Sequence, residues 1–258
     1  STLDRSSAAS DVYKRQDLIQ VSGGRVNGQI LTSFGADQFI WTDGGTINGA
    51  ILMGADDDSA LLKNLRETLL AATPQLDGGA GNDTLTFDAT QTSVPSRYTG
   101  WERVSMVNGS ALTLGGTFVL GGSDTGTGAM SIDATSRLIV TTGTLAPFTS
   151  GQLATLNNAG LIDMSTDSSS TTDSLTVNGN YIGTGGRLAL QTMLGADNSP
   201  SDKLVVSQGT LLGATAISIT NLGGAGALTV KDGIEVVQAT QGATSSVGAF
   251  SLAGPVSA

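Results

Sequence analysis

The side chains with reactive potential are carboxylates. The chain has 22 acidic residues against 12 basic ones, and only Glu67, Glu102 and Glu235 are glutamates. Paired carboxylates facing each other across a cleft can cleave a glycosidic bond. No two of these acids fall at a spacing that would place them together on one strand face, and no Lys or Arg cluster accompanies them. There is no His and no Cys, so imidazole bases, thiol nucleophiles, thiolate metal sites and disulfides are excluded. Nucleophile-elbow, phosphate-loop and dinucleotide-binding motifs are missing as well. The expectation is a non-enzymatic protein with no catalytic, cofactor-binding or metal-binding residues.

One motif points to a cation. Gly78-Gly79-Ala80-Gly81-Asn82-Asp83-Thr84-Leu85-Thr86 matches the GGxGxDxLx nonapeptide of calcium-binding β-rolls. In those proteins, turn carbonyls and the Asp carboxylate of consecutive coils form an oxygen cage. A single copy supplies about half of such a cage, so the motif reads first as a corner turn. The run Asp56-Asp57-Asp58 is read as a second acidic turn without a cage.

These turns punctuate a repeat. Gly23-Gly24-Arg25-Val26-Asn27-Gly28-Gln29-Ile30-Leu31 aligns with Gly44-Gly45-Thr46-Ile47-Asn48-Gly49-Ala50-Ile51-Leu52. A Gly-x-Asp element follows at Gly35-Ala36-Asp37, Gly54-Ala55-Asp56 and Gly81-Asn82-Asp83, and alternating apolar strands follow Asp37 and Asp83. A period near 20 residues, with short apolar strands between Gly and Asn corners, predicts an all-β, parallel β-helix. Each coil buries its inward side chains only when stacked on its neighbours. At about 21 to 24 residues per coil the chain makes about ten coils and a rod of roughly 50 Å.

Further strands are expected at Leu112–Leu114, Phe118–Leu120, Leu138–Val140, Leu161–Ile162, Leu175–Val177, Arg187–Leu190, Leu204–Val206, Ala216–Ile219, Leu228–Val230 and Ile234–Val237. The pairs Gly115-Gly116, Gly121-Gly122, Gly185-Gly186 and Gly223-Gly224 mark corners. Ser59 to Ala72 departs from this: Leu61, Leu62, Leu65, Leu69 and Leu70 suit a helical face, so a short helix is expected there, with a strand at 60–62 and a loop as the alternative. Trp41 and Trp101 are assigned to packing.

Composition agrees with a β architecture rich in turns. Gly numbers 36, charged residues are 13% and the net charge is −10, which argues against nucleic acid or anionic membrane as a partner. No apolar run is long enough for a transmembrane helix. The chain opens on Ser1 without a signal peptide and reads as an internal piece of a longer protein. Residues 1–16 lack Gly, carry Arg5, Lys14 and Arg15, and read as a disordered or non-native leader.

The C-terminal third carries a family likeness. Ser201-Asp202-Lys203-Leu204-Val205-Val206, then Thr220-Asn221-Leu222-Gly223-Gly224-Ala225-Gly226 and Asp232-Gly233-Ile234-Glu235-Val236-Val237 resemble the autochaperone region of pertactin-like autotransporters. Trp101-Glu102-Arg103-Val104 and the stretch from Asp77 to Phe87 are similar to passenger coils of diffuse-adherence adhesins. The resemblance implies a right-handed single solenoid with β-helix coils over 17–173 and an autochaperone-like cap over 174–258. It implies export across the outer membrane of a Gram-negative bacterium by the protein's own C-terminal β-barrel translocator, absent from this chain. A host or cell-surface ligand would be the other partner. The alternatives are a β-helical polysaccharide-active enzyme and a calcium-binding β-roll.

Overall fold

A computed structural model describes residues 16–166 and 170–257. Of the leader 1–16, only Gln16 is among them, and it is exposed; residues 1–15 lie outside the described part. The architecture is a single β-helix solenoid of parallel strands. One face stacks Leu18–Val21, Gln38–Thr42, Ser59–Lys63, Thr84–Asp88, Arg103–Val107, Ala129–Ile132 and Ala154–Asn158. It continues through the middle of Ser174–Thr192, then Lys203–Asn221 and Thr244–Ser245. These are ten parallel passes, as the repeat length implies.

The opening repeat is in register: Val26 pairs with Ile47, Asn27 with Asn48, Ile30 with Ile51 and Leu31 with Leu52. The coil length is not constant, however. Gln38 pairs with Ser59, Ser59 with Thr84, Thr84 with Arg103, and near the C-terminus Thr210 with Thr244. The coils therefore range well beyond 21 to 24 residues, because loops of different length leave the corners without disturbing the stacked strands.

Inward columns fill the rod. Phe39, Ala60, Leu85, Val104, Met130, Leu156 and Tyr181 stack in one column, with Trp41, Leu62, Phe87, Met106 and Ile132 in the next. All of these side chains are buried. Phe87 meets Tyr98 edge-on at 4.9 Å, and Tyr98 stacks on Phe118 at 6.1 Å. Trp41 and Trp101 are fully buried, and their indole N–H groups donate to the carbonyls of Gly44 and Leu76.

Two expectations are corrected. Ser59 to Ala72 is a strand over Ser59–Lys63 and a helix only over Glu67–Leu70. Pairing on both edges of Ser59–Lys63 outweighs the helical spacing of the leucines. The segment from Leu222 to Val236 carries no strand. Leu228 and Val230 are 82% and 73% exposed, so the apolar run there is not a coil wall. The last pass resumes at Val237–Thr240.

From residue 111 onward the strands lengthen by turning corners. Ser174–Thr192 and Lys203–Asn221 run 19 residues each and stay paired along nearly their whole length. Gly179 makes one such turn possible. Its φ is +151°, and a Cβ there would lie 1.9 Å from the Ala154 carbonyl oxygen.

Candidate functional site

The acids flagged in the sequence come together, but not as a cation cage. Gln38 pairs with Ser59 and Ser59 with Thr84, so Asp37, Asp58 and Asp83 occupy one corner position in successive coils. The Gly-x-Asp alignment that pairs Asp37 with Asp56 is thus shifted by two residues; Asp56 instead accepts the N–H of Gly35. Glu102 takes the same place one coil further on.

Each carboxylate caps the coil before it. Asp37 accepts the N–H of Asp17 at 2.7 Å, Asp58 that of Asp37 at 2.7 Å, Asp83 that of Asp58 at 2.8 Å, and Glu102 that of Asp83 at 2.7 Å. The hydroxyl of Thr125 donates to the other Glu102 oxygen at 2.6 Å. The four side chains are 1%, 2%, 0% and 6% exposed in that order. In Asp37, Asp58 and Asp83 the second oxygen, Oδ2, is buried without a hydrogen-bond partner.

That arrangement is electrostatically costly. Burial pushes the Asp58 carboxyl up to about 6, against the lowering effect of the Asp37 N–H, with Asp37, Asp56 and Asp57 adding repulsion. Burial likewise pushes Asp83 up to about 7, the N–H of Asp58 opposing and Glu102, Asp58 and Asp57 reinforcing it.

A second ladder shows the uncharged solution. Thr90 accepts the N–H of Leu65, Ser110 accepts that of Thr90, and Ser136 that of Ser110. The Thr90 hydroxyl donates in turn to the Leu62 carbonyl at 2.8 Å, and the Ser110 hydroxyl to Phe87 at 2.9 Å. A hydroxyl both accepts and donates, so these two leave no bare oxygen.

Asp83 of the nonapeptide is thereby committed to the acid ladder. No group of three or more acidic side chains among the described residues is arranged to hold a metal ion. The glutamates are dispersed among different partners. Glu67 holds the buried Arg97 at 2.6 Å, Glu102 ends the ladder, and the exposed Glu235 meets Lys203 at 3.2 Å.

The C-terminal part uses its acids differently. Asp202 is buried with both oxygens engaged, by the N–H of Asp173 and the N–H of Gln191. Asp197 gathers the irregular 222–236 segment, accepting N–H groups from Val230, Lys231 and Gly233. Neither role has a separate signal in the residue pattern, since each depends on which loops stack.

Among the described residues no helix is long and apolar enough to cross a membrane, which says nothing of a β-barrel. Residues 151–258 match the family described as Autochaperone Domain Type 1. Over 147 residues, 57% of the chain, the sequence is 40% identical to the adhesin BmaC autotransporter of Brucella suis biovar 1, of which this covers 4%. It is 48% identical over 64 residues to the Escherichia coli K12 protein YdeU, covering 25% of this chain and 13% of that protein. Against YuaQ of the same strain it is 37% identical over 123 residues, 47% of this chain and 8% of that protein. The chain therefore spans a small part of each of these relatives. Fold and matches together support an autotransporter passenger with an autochaperone region, exported through the Gram-negative outer membrane to the cell surface or beyond.

Proposed function

We propose that the chain is the structural stem of an autotransporter adhesin, without catalytic activity, and that its C-terminal region nucleates folding during export. Coils over 17–173 extend the stem, and 174–258 acts as the folding end. The partner that carries it out is the protein's own C-terminal β-barrel, and the adhesive ligand is bound by the wider passenger.

The observation that carries this reading is the pairing of Ser174–Thr192 with Lys203–Asn221, the longest strand pairing among the described residues, with register shifts at Gly179/Tyr181 and Thr184/Gly186. In a solenoid each coil templates its neighbour, so the best-paired block is the natural nucleus. Leu175, Val177, Leu188, Leu190, Leu204 and Val206 are all fully buried in it.

The test is a passenger expressed with its own translocator. Leu204→Asp together with Val206→Asp should abolish protease-resistant passenger at the cell surface. Leu62→Asp in the N-terminal coils should leave a resistant C-terminal fragment. A resistant N-terminal fragment in the first variant would overturn the assignment.

A further inference from the structure

We propose that the stacked acids Asp37, Asp58, Asp83 and Glu102 form a proton-operated lock on the N-terminal coils, tight when Asp58 and Asp83 carry protons and loosened as pH rises and those protons leave.

The geometry has three parts. First, the four acids occupy one corner of consecutive coils, and each uses one oxygen to bind the backbone of the coil before it. The coils are thus linked through groups that titrate. Second, the remaining oxygens of Asp37, Asp58 and Asp83 are buried and unpartnered. A proton on such an oxygen removes a buried charge, whereas ionisation creates one that a single backbone N–H on the other oxygen must solvate.

Third, the surroundings are acidic. Asp58 is faced by Asp37 and Asp83 from the adjoining coils and by Asp56 and Asp57 from its own turn; Asp83 is faced by Asp58, Asp57 and Glu102. Gly78 lies against the Asp83 carboxylate, and its neighbour Asp77 accepts the Thr99 hydroxyl. Lys63 pairs with Asp88 and Arg97 with Glu67, away from the ladder, while Arg103, next to Glu102 in the chain, is exposed.

The sign follows from proton linkage. An unfolded Asp titrates near about 3.9, whereas Asp58 and Asp83 titrate near about 6 and about 7 in the folded coils. Between these values the folded chain holds protons that the unfolded chain has released, so stability falls as pH rises. The ladder contributes most below about pH 4, and its contribution is lost by the time pH has passed through about 7. The Thr90–Ser110–Ser136 ladder has the same hydrogen-bond logic without the titration, and serves as the internal control.

The experiment uses the full chain. Thermal unfolding by circular dichroism at pH 5 and pH 8 is paired with hydrogen exchange at the amides of 38–42, 59–63 and 84–88, corrected for intrinsic rates. The wild type should melt higher at pH 5, by roughly 5 °C or more for those coils, with slower exchange. Asp58→Asn with Asp83→Asn keeps the accepting oxygen and removes the charge. It should melt at pH 8 as the wild type does at pH 5, with little pH dependence left. A pH-independent wild type, or a double variant that keeps the full dependence, would overturn the proposal. Carboxyl-carbon NMR of the wild type gives a reading even where the double variant does not fold. Two buried aspartate signals titrating between pH 5 and 8 support the lock, and ladder signals that all titrate below pH 5 refute it.

Discussion

The two ends of this rod solve the same stacking problem with different means. In the N-terminal coils the strands are short, five residues in Gln38–Thr42, Ser59–Lys63 and Thr84–Asp88, and corner side chains tie one coil to the next. Toward the C-terminus the backbone itself turns the corners, and strands of 19 residues stay paired through them. Corner acids reflect this division. Asp37, Asp58 and Asp83 each spend one oxygen and bury the other bare, while Asp202 uses both. A backbone ladder is indifferent to pH, whereas a side-chain ladder takes on the chemistry of the group it uses.

The largest break in that comparison is Leu188→Asp. Leu188 is fully buried between Ile162 and Ile217 of the flanking coils. An unpaired carboxylate there should cost more than about 3 kcal/mol, and chemical denaturation should show the C-terminal half unfolding first. Ile217→Asp should be nearly as severe. Ile219, whose spacing marks it as inward, is only partly buried near the strand end, so Ile219→Asp should be milder.

Arg97→Met comes next. Arg97 is buried, grips Glu67 with both terminal nitrogens and donates to the Thr73 carbonyl, pinning the 64–75 excursion to the rod. Burial raises the Glu67 carboxyl, but Arg97, the Ser93 N–H and Thr92 together hold it below the usual range. With its folded pKa depressed, the pair contributes stability above the ordinary Glu range and loses it as pH falls through the lowered value. Glu67 is partly exposed and screened, so the expected loss is about 2 kcal/mol, below that of a fully buried pair. Denaturant midpoints at pH 7 check it.

Ser110→Ala sharpens the comparison between ladders. It removes one acceptor and one donor from the hydroxyl ladder and leaves the Thr90 N–H buried without that partner. The loss should be about 1 to 2 kcal/mol. It should be equal at pH 5 and pH 8, unlike any change in the acid ladder, and melting curves at both values test that equality.

The sequence made the solenoid legible because inward positions alternate and the first two coils keep one period, with Asn27 stacked on Asn48. The acid ladder was hidden by unequal coil lengths. Hydrogen bonds in it span 20, 21, 25 and 19 residues in turn, so no fixed offset lines up its members. The matching Gly-Ala-Asp triplets drew attention to Asp56, whose Gly-x-Asp spacing mimics that of Asp37 although its coil position is that of Gly35. Glu102 concealed itself by being a different residue type. The strand expected at 228–230 failed for the opposite reason: its local pattern is apolar, but strands need a partner coil, and Asp197 holds the neighbouring backbone out in a loop instead.

That loop carries the smallest expected effect and the most local one. Asp197 is half-buried, and its carboxylate accepts the N–H groups of Val230, Lys231 and Gly233 at 2.7, 3.1 and 2.7 Å. Those bonds lower its pKa, led by Val230 and then Gly233. The clasp should therefore hold above the usual carboxylate range and open as pH falls through the lowered value. Asp197→Ala removes the acceptor without touching a coil wall, because the segment it gathers contributes no strand to the rod. The melting temperature should stay unchanged within error, while the three amides should exchange at least ten-fold faster in a residue-resolved hydrogen-exchange experiment. A fall in melting temperature would place the 222–236 excursion inside the cooperative unit of the C-terminal coils and erase the distinction between loop and wall drawn from its exposed Leu228 and Val230.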